Sequence, residues 1–158
     1  MAVLLFSGET SFDPRSHKLD ELVSDLEKLM KKEPIYVSPY DHKTGGRLKR
    51  RKISPSHILI LEGVYAFYPL IAPMNLGLKY YIYAHKNQAK ELKFIADFTE
   101  RGYDIQTALE HADAEYNAYE THILPFLRLA DFIIEVDQYW KYKGPYPVEF
   151  HRANLRMV

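Results

Sequence analysis

The sequence predicts an α/β fold built on a mainly parallel sheet with helices on both faces. Three observations predict it. Ile58-Leu59-Ile60-Leu61 is an unbroken aliphatic run followed at once by Glu62 and Gly63, the pattern of a strand buried on both faces that ends at a sheet's carboxyl edge. Residues 19–30 and 105–116 place apolar side chains at helical spacing. Candidate strands at 35–37, 78–83 and 129–136 alternate with these helices, as α/β architecture requires.

Composition sets the outer bounds. A chain of 158 residues fits one domain, and 47% hydrophobic with 14% aromatic content argues against disorder. The 21 basic and 21 acidic residues cancel, so no global field favours nucleic acid or an anionic membrane, and a phosphate site has to be local. With no cysteine, disulfides, thiolate chemistry and Cys-based zinc sites are excluded together. Hydrophobic runs are shorter than a membrane span, and Met1–Phe6 lacks the basic segment and length of a signal peptide. The chain is therefore read as cytoplasmic.

In chain order, residues 2–6 are apolar and fit a short strand ended by Ser7-Gly8-Glu9-Thr10. Set against a phosphate loop, this stretch fails twice: Glu9 stands where the phosphate-neutralising lysine belongs, and Val3 where the first glycine belongs. Asp13-Pro14-Arg15 leads into a helix with Leu19, Leu22, Val23, Leu26, Leu29 and Met30 on its apolar face. Its C-terminal lysines, Lys28, Lys31 and Lys32, suit the macrodipole. Ile35-Tyr36-Val37 follows as a short strand. Tyr40 to Gly46 is a polar loop whose Tyr40, Asp41, His42 and Thr44 are equipped to hydrogen-bond a sugar or phosphate, or simply form a turn. Arg47 to Lys52 carries five positive charges, a solvated loop or a phosphate-facing flap.

After Gly63, residues 64–71 are apolar and aromatic and fit a helix or turn over the sheet. Residues 78–83 form a strand whose tyrosines need hydroxyl partners if buried. From Asn87 to Glu100 a helix turns Leu92, Ile95 and Ala96 inward and ends at Arg101-Gly102, glycine being a frequent helix terminator. Asp104 caps a second helix with Ile105, Ala108, Leu109, Ala112 and Tyr116 on one face. His111, Glu115 and His122 share a side of it and are read as a solvated face rather than a metal site. Pro125 breaks that helix, 129–136 resumes a strand, and 138–158 is read as a tail that packs locally or against a partner.

Five segments in this order resemble the phosphoribulokinase / uridine kinase family. They are Thr10 to Asp20, Tyr40 to Gly45, Ile58 to Gly63, Asp97-Phe98-Thr99-Glu100-Arg101-Gly102 (its D-x-x-E-R-G helix end) and Ala130 to Val136. The resemblance spans residues 10–137, with spacing closer to phosphoribulokinase. It implies a three-layer, P-loop-kinase-type fold over residues 1–137, shortened at the N-terminus and lacking the P-loop segment. It also implies ATP and Mg²⁺ as cofactors. Glu62 would hold the metal, Gly63 and Arg101 would border the nucleotide, and Asp13, Arg15, Tyr40, His42 and Thr44 would bind the sugar phosphate or nucleoside. No catalytic residue follows from it. The P-loop and the family's catalytic Asp are missing, and Ala96 stands where the family carries an arginine and Leu127 where it carries a lysine, so the expected kinase is weak or inactive alone. The alternative expectation is a non-catalytic binding or regulatory module or a truncated gene product of that family; a homodimer or a complex with another subunit is also expected, since a shortened sheet leaves an unpaired edge.

Overall fold

A computed structural model describes residues 12–41, 46–74, 76–137 and 139–149. They fall into two compact units, Lys18–Gly63 and the segments that flank it in sequence.

The Lys18–Gly63 unit begins with α1 (Leu19–Met30), which buries Leu19 and Leu26 while Asp20 and Glu21 stabilise its first turn. A two-tiered antiparallel arm follows. In the lower tier β1 (Ile35–Val37) pairs with β4 (Arg51–Ile53), and in the upper tier β2 (Tyr40–Asp41) pairs with β3 (Gly46–Arg47). Of the predicted polar loop, Tyr40 and Asp41 lie in β2 and Gly46 in β3, and residues 42–45 lie outside the described residues. Lys32 Nζ donates to the Ser56 carbonyl at 3.3 Å, tying the end of α1 to the chain leaving the arm.

The Ile58–Gly63 expectation is corrected here. The run forms no strand, and Ile58 and Ile60 are 76% and 83% exposed. A buried strand requires neighbours on both edges for its backbone groups, and among the described residues no strand pairs with this run.

In the other unit, β5 (Tyr80–Ala84) pairs in parallel with β6 (Phe132–Val136), and β7 (Tyr142–Pro147) adds an antiparallel edge. The fold is mixed α/β. Among the described residues, the three-layer, mainly parallel arrangement is not seen. The stretch predicted as a tail contributes the third strand of this sheet.

The β5–β6 crossover carries α2 (Lys86–Ile95), a π-helical turn (Ala96–Glu100), α3 (Ile105–His122) and a 3-10 segment (Leu124–Leu129). Gly102, at φ +71°, supplies the left-handed residue that ends the π turn. Asp104 then caps α3, its Oδ1 accepting the Thr107 amide at 3.0 Å. On α3 only Ala108, Ala112 and Tyr116 of the predicted face are buried, whereas Ile105 and Leu109 are exposed. On α2 the exposed residues are the predicted inward Leu92 and Ile95, and the buried one is Gln88, which donates to the Asp137 carbonyl. Polar partners at the sheet's edge decide which side of α2 turns in.

The core gathers Tyr81, Tyr83, Leu127, Ala130, Ile133 and Val148, with Phe67, Tyr119 and Leu124 against it. The Tyr81 hydroxyl donates to that of Tyr119 at 2.9 Å, so these phenols have the partners their burial requires. Burial pushes the Tyr81 hydroxyl up to about 12, and that of Tyr119 is raised by the same cause.

Candidate functional site

The parallel pair β5–β6 sets the first candidate position, because open α/β sheets receive ligands beyond the carboxyl ends of their strands. His85 directly follows β5 and Asp137 directly follows β6. Between them lies a cavity of about 390 Å³ lined by His85, Gln88, Glu91, Glu135, Asp137 and Lys143, among others. His85 Nε2 lies 3.1 Å from Glu135 Oε1, and Lys143 Nζ lies 3.3 Å from Asp137 Oδ2. Asp137 also accepts the Lys141 amide at 3.0 Å and the Tyr139 amide at 2.8 Å. These bonds, the Lys141 amide first, hold its carboxyl below the usual range. Acids and donors thus face one cavity, an arrangement suited to hydrogen-bonding a polar ligand.

None of these residues was singled out from sequence. The signal was present nonetheless. His85 and Asp137 sit just past predicted strands, where the carboxyl-edge rule applied to Glu62 would have found them.

Arg101 is part of a second cluster. The π turn carries Asp97 inward, fully buried, and four groups converge on it. Arg101 Nη1 lies 2.5 Å from Oδ1, Lys93 Nζ 3.2 Å from Oδ2, and His111 Nδ1 3.4 Å from Oδ2. The Tyr103 amide donates to the Asp97 carbonyl at 3.1 Å, and the Tyr103 ring meets His111 edge-on with centroids 4.9 Å apart. This corrects the reading of His111 as part of a solvated face. Arg101 itself stays half exposed while its guanidinium is held on Asp97.

Asp13 and Arg15 meet as expected from their spacing, but on each other. Asp13 caps the 3-10 turn Pro14–Ser16, accepting the Arg15 amide at 2.8 Å while Arg15 Nη2 lies 2.5 Å from Oδ2. The Arg15 side-chain bonds, then its amide, hold the Asp13 carboxyl down to about 2, with the charges of Arg15 and His122 contributing. Asp13 is buried, and Phe12 packs edge-on to Tyr119 with centroids 6.0 Å apart, which sets this corner near the C-terminal end of α3. Arg101 belongs to the N-terminal half of α3 through His111. The eleven helical steps from His111 to His122 correspond to about 16 Å, so Arg101 and Asp13 are not brought together.

In the Lys18–Gly63 unit, Glu62 is exposed and Gly63 adopts φ +147°, a backbone that favours glycine, with open space where a Cβ would stand. The backbone of Tyr40 lies in β2, whereas His42 and Thr44 lie outside the described residues, as does the predicted strand and loop at 2–10.

The described residues thus form a mixed α/β fold with a polar cavity at the carboxyl edge of a parallel strand pair. The chain belongs to the Phosphoribulokinase / Uridine kinase family, whose sequence profile it matches over residues 7–141. It is 30% identical over 128 residues to Uridine kinase-like protein 3 of Arabidopsis thaliana, covering 78% of this chain and 28% of that protein. It is 24% identical over 130 residues to Phosphoribulokinase of Synechocystis sp., covering 82% of this chain and 39% of that protein. To Uridine kinase of Ureaplasma parvum serovar 3 it is 29% identical over 97 residues, covering 61% and 47%. The chain thus spans less than half the length of these relatives. Among the described residues no helix is long and apolar enough to cross a membrane.

Proposed function

We propose that the chain takes part in ATP-dependent phosphorylation of a hydroxyl on a sugar phosphate or nucleoside, within a three-layer, P-loop-kinase-type domain over residues 1–137. The observation that carries the reading is the polar cavity at the carboxyl ends of β5 and β6, where this family's fold receives ligands. Arg101 and Gly63 border the nucleotide, and Asp13, Arg15, Tyr40, His42 and Thr44 serve the acceptor. Glu62 fits Mg²⁺ as an exposed hard-oxygen donor, since Mg²⁺ keeps its waters and takes one or two carboxylates; bound there, the ion would neutralise phosphate charge. Asp13 positions Arg15 instead of acting as a base, because its oxygens are already engaged in the cap.

Ala96 and Leu127 stand where cations would stabilise the transferring phosphoryl group, and one such cation is worth on the order of 10³ in rate or more. Turnover by this chain alone is therefore slow, and those two residues favour a second reading as a non-catalytic binding or regulatory module. Tyr80 and Ile82, exposed on the outer face of edge strand β5, suit a homodimer or a second subunit. A cytoplasmic location accompanies this reading.

A calorimetric titration with MgATP tests it, with Glu62→Gln alongside. Micromolar binding that weakens at least tenfold in the variant is expected. Absence of heat at millimolar MgATP removes the kinase reading and leaves the binding module.

A further inference from the structure

We propose that the cationic stretch Arg47–Lys52, with Tyr36 on the paired strand β1, binds single-stranded nucleic acid, a role beyond the kinase-family reading. The zero net charge of the chain conceals a steep local imbalance. Five of the six residues from Arg47 to Lys52 are cationic, and all five are exposed. Among the described residues none of the five has a carboxylate within ion-pair distance, and Glu21 feels Arg47 only at longer range. Elsewhere Lys18, Lys28, Lys86, Lys90 and Lys93 each have one. Like charges concentrated without counter-charges repel one another, so this arm is poised for a ligand that brings the missing anions.

The arrangement favours a repeated phosphate over a single one. Arg47 ends β3, Arg51 and Lys52 open β4, and Lys49 and Arg50 lie between, so the five charges are strung along the backbone and not gathered at one point. The cross-strand register places Lys52 opposite Tyr36 and Arg51 opposite Val37, so the two cations point to opposite faces of the ribbon. A flat anionic membrane would meet only half of such a set, whereas a flexible strand wraps both faces. Tyr36 adds the feature that separates nucleic acid from other polyanions. Its ring is half exposed, and the Arg50 guanidinium lies over it at 5.3 Å, anchored by a 3.4 Å bond to the Tyr36 carbonyl. An aromatic ring and a guanidinium plane together form a platform on which bases stack.

Fluorescence anisotropy with the full chain and a labelled oligonucleotide of about 12 nucleotides, as RNA and as DNA, tests the arm. Binding of both at about 50 mM salt is expected, with a log–log salt slope near −2 to −3 for three or four phosphates engaged. Replacing Arg50, Arg51 and Lys52 together by Gln is expected to weaken binding at least tenfold and flatten the slope by about 2. Should that triple variant fail to fold, the three single Gln variants carry the test, each flattening the slope by about 0.7. Tyr36→Ala is expected to weaken binding several-fold at an unchanged slope. No anisotropy change, wild-type affinity in the Gln variants, or displacement by polyglutamate as effective as by unlabelled oligonucleotide at equal charge would overturn the proposal.

Discussion

Two aliphatic and aromatic stretches of similar length met opposite fates. Tyr80–Ala84 alternates buried and exposed side chains in a paired strand, whereas the more uniformly apolar Ile58–Leu61 run is unpaired and largely exposed. The difference lies in their neighbours. β5 finds β6 across a parallel ladder, and α3 with the 3-10 segment supplies Tyr119 and Leu127 to cover Tyr81 and Tyr83. Hydrophobicity gives a segment something to gain from burial; pairing its backbone groups and covering its side chains decides whether it is buried.

A matched pair of truncations breaks or sharpens this comparison most strongly. Ile133 is fully buried in β6, so Ile133→Ala is expected to cost about 2–5 kcal/mol by denaturant unfolding. Ile60→Ala removes the same atoms from an exposed site and is expected to stay within about 0.5 kcal/mol. An Ile60→Ala cost above about 2 kcal/mol would mean that the run is covered in solution, and the contrast would collapse.

A smaller effect separates polar from apolar cover. Tyr81→Phe keeps the ring in the core and removes only the hydroxyl that donates to Tyr119, an expected loss of about 1–2 kcal/mol. The phenols also set an alkaline limit. The Tyr81 hydroxyl is raised from 10.0 to about 12, so its stabilisation is complete below pH 10 and is lost as pH rises toward 12. Ultraviolet titration of the wild type against Tyr81→Phe reads this directly: one phenol ionising late should disappear. Loss instead of a phenol that ionises near 10 would place Tyr81 in solvent.

What could be read in advance follows the range of the signal. The α3 cap was visible because Asp104 and Thr107 are three residues apart, and the break at Gly102 because a left-handed residue favours glycine locally. The cluster on Asp97 was not, because His111 reaches it from another element and no local pattern marks a buried carboxyl group. The Ile58 run misled for the same reason. Its partners, had they existed among the described residues, would have been distant in sequence. The cavity residues form an intermediate case, since His85 and Asp137 sit at predicted strand ends but only β5–β6 pairing brings them to one place.

The smallest expected effect concerns the acid limb and a cap that draws on two neighbouring residues. Asp13 is held from 3.8 down to about 2, chiefly by the Arg15 side chain. A lowered carboxyl favours the fold when ionised, so its contribution is complete above pH 3.8 and is lost as pH falls through about 2. Asp104 and Asp137 are also lowered, by Thr107 and by the Lys141 amide respectively, so the wild-type acid limb has several contributors. Asp13→Asn isolates one of them. Asparagine keeps an oxygen to accept the Arg15 amide, which preserves the cap while removing the charge. Urea midpoints measured between pH 2 and pH 5 should therefore differ most between wild type and variant at the upper end and converge toward the lower. A constant offset across that range would mean that Asp13 acts through shape alone.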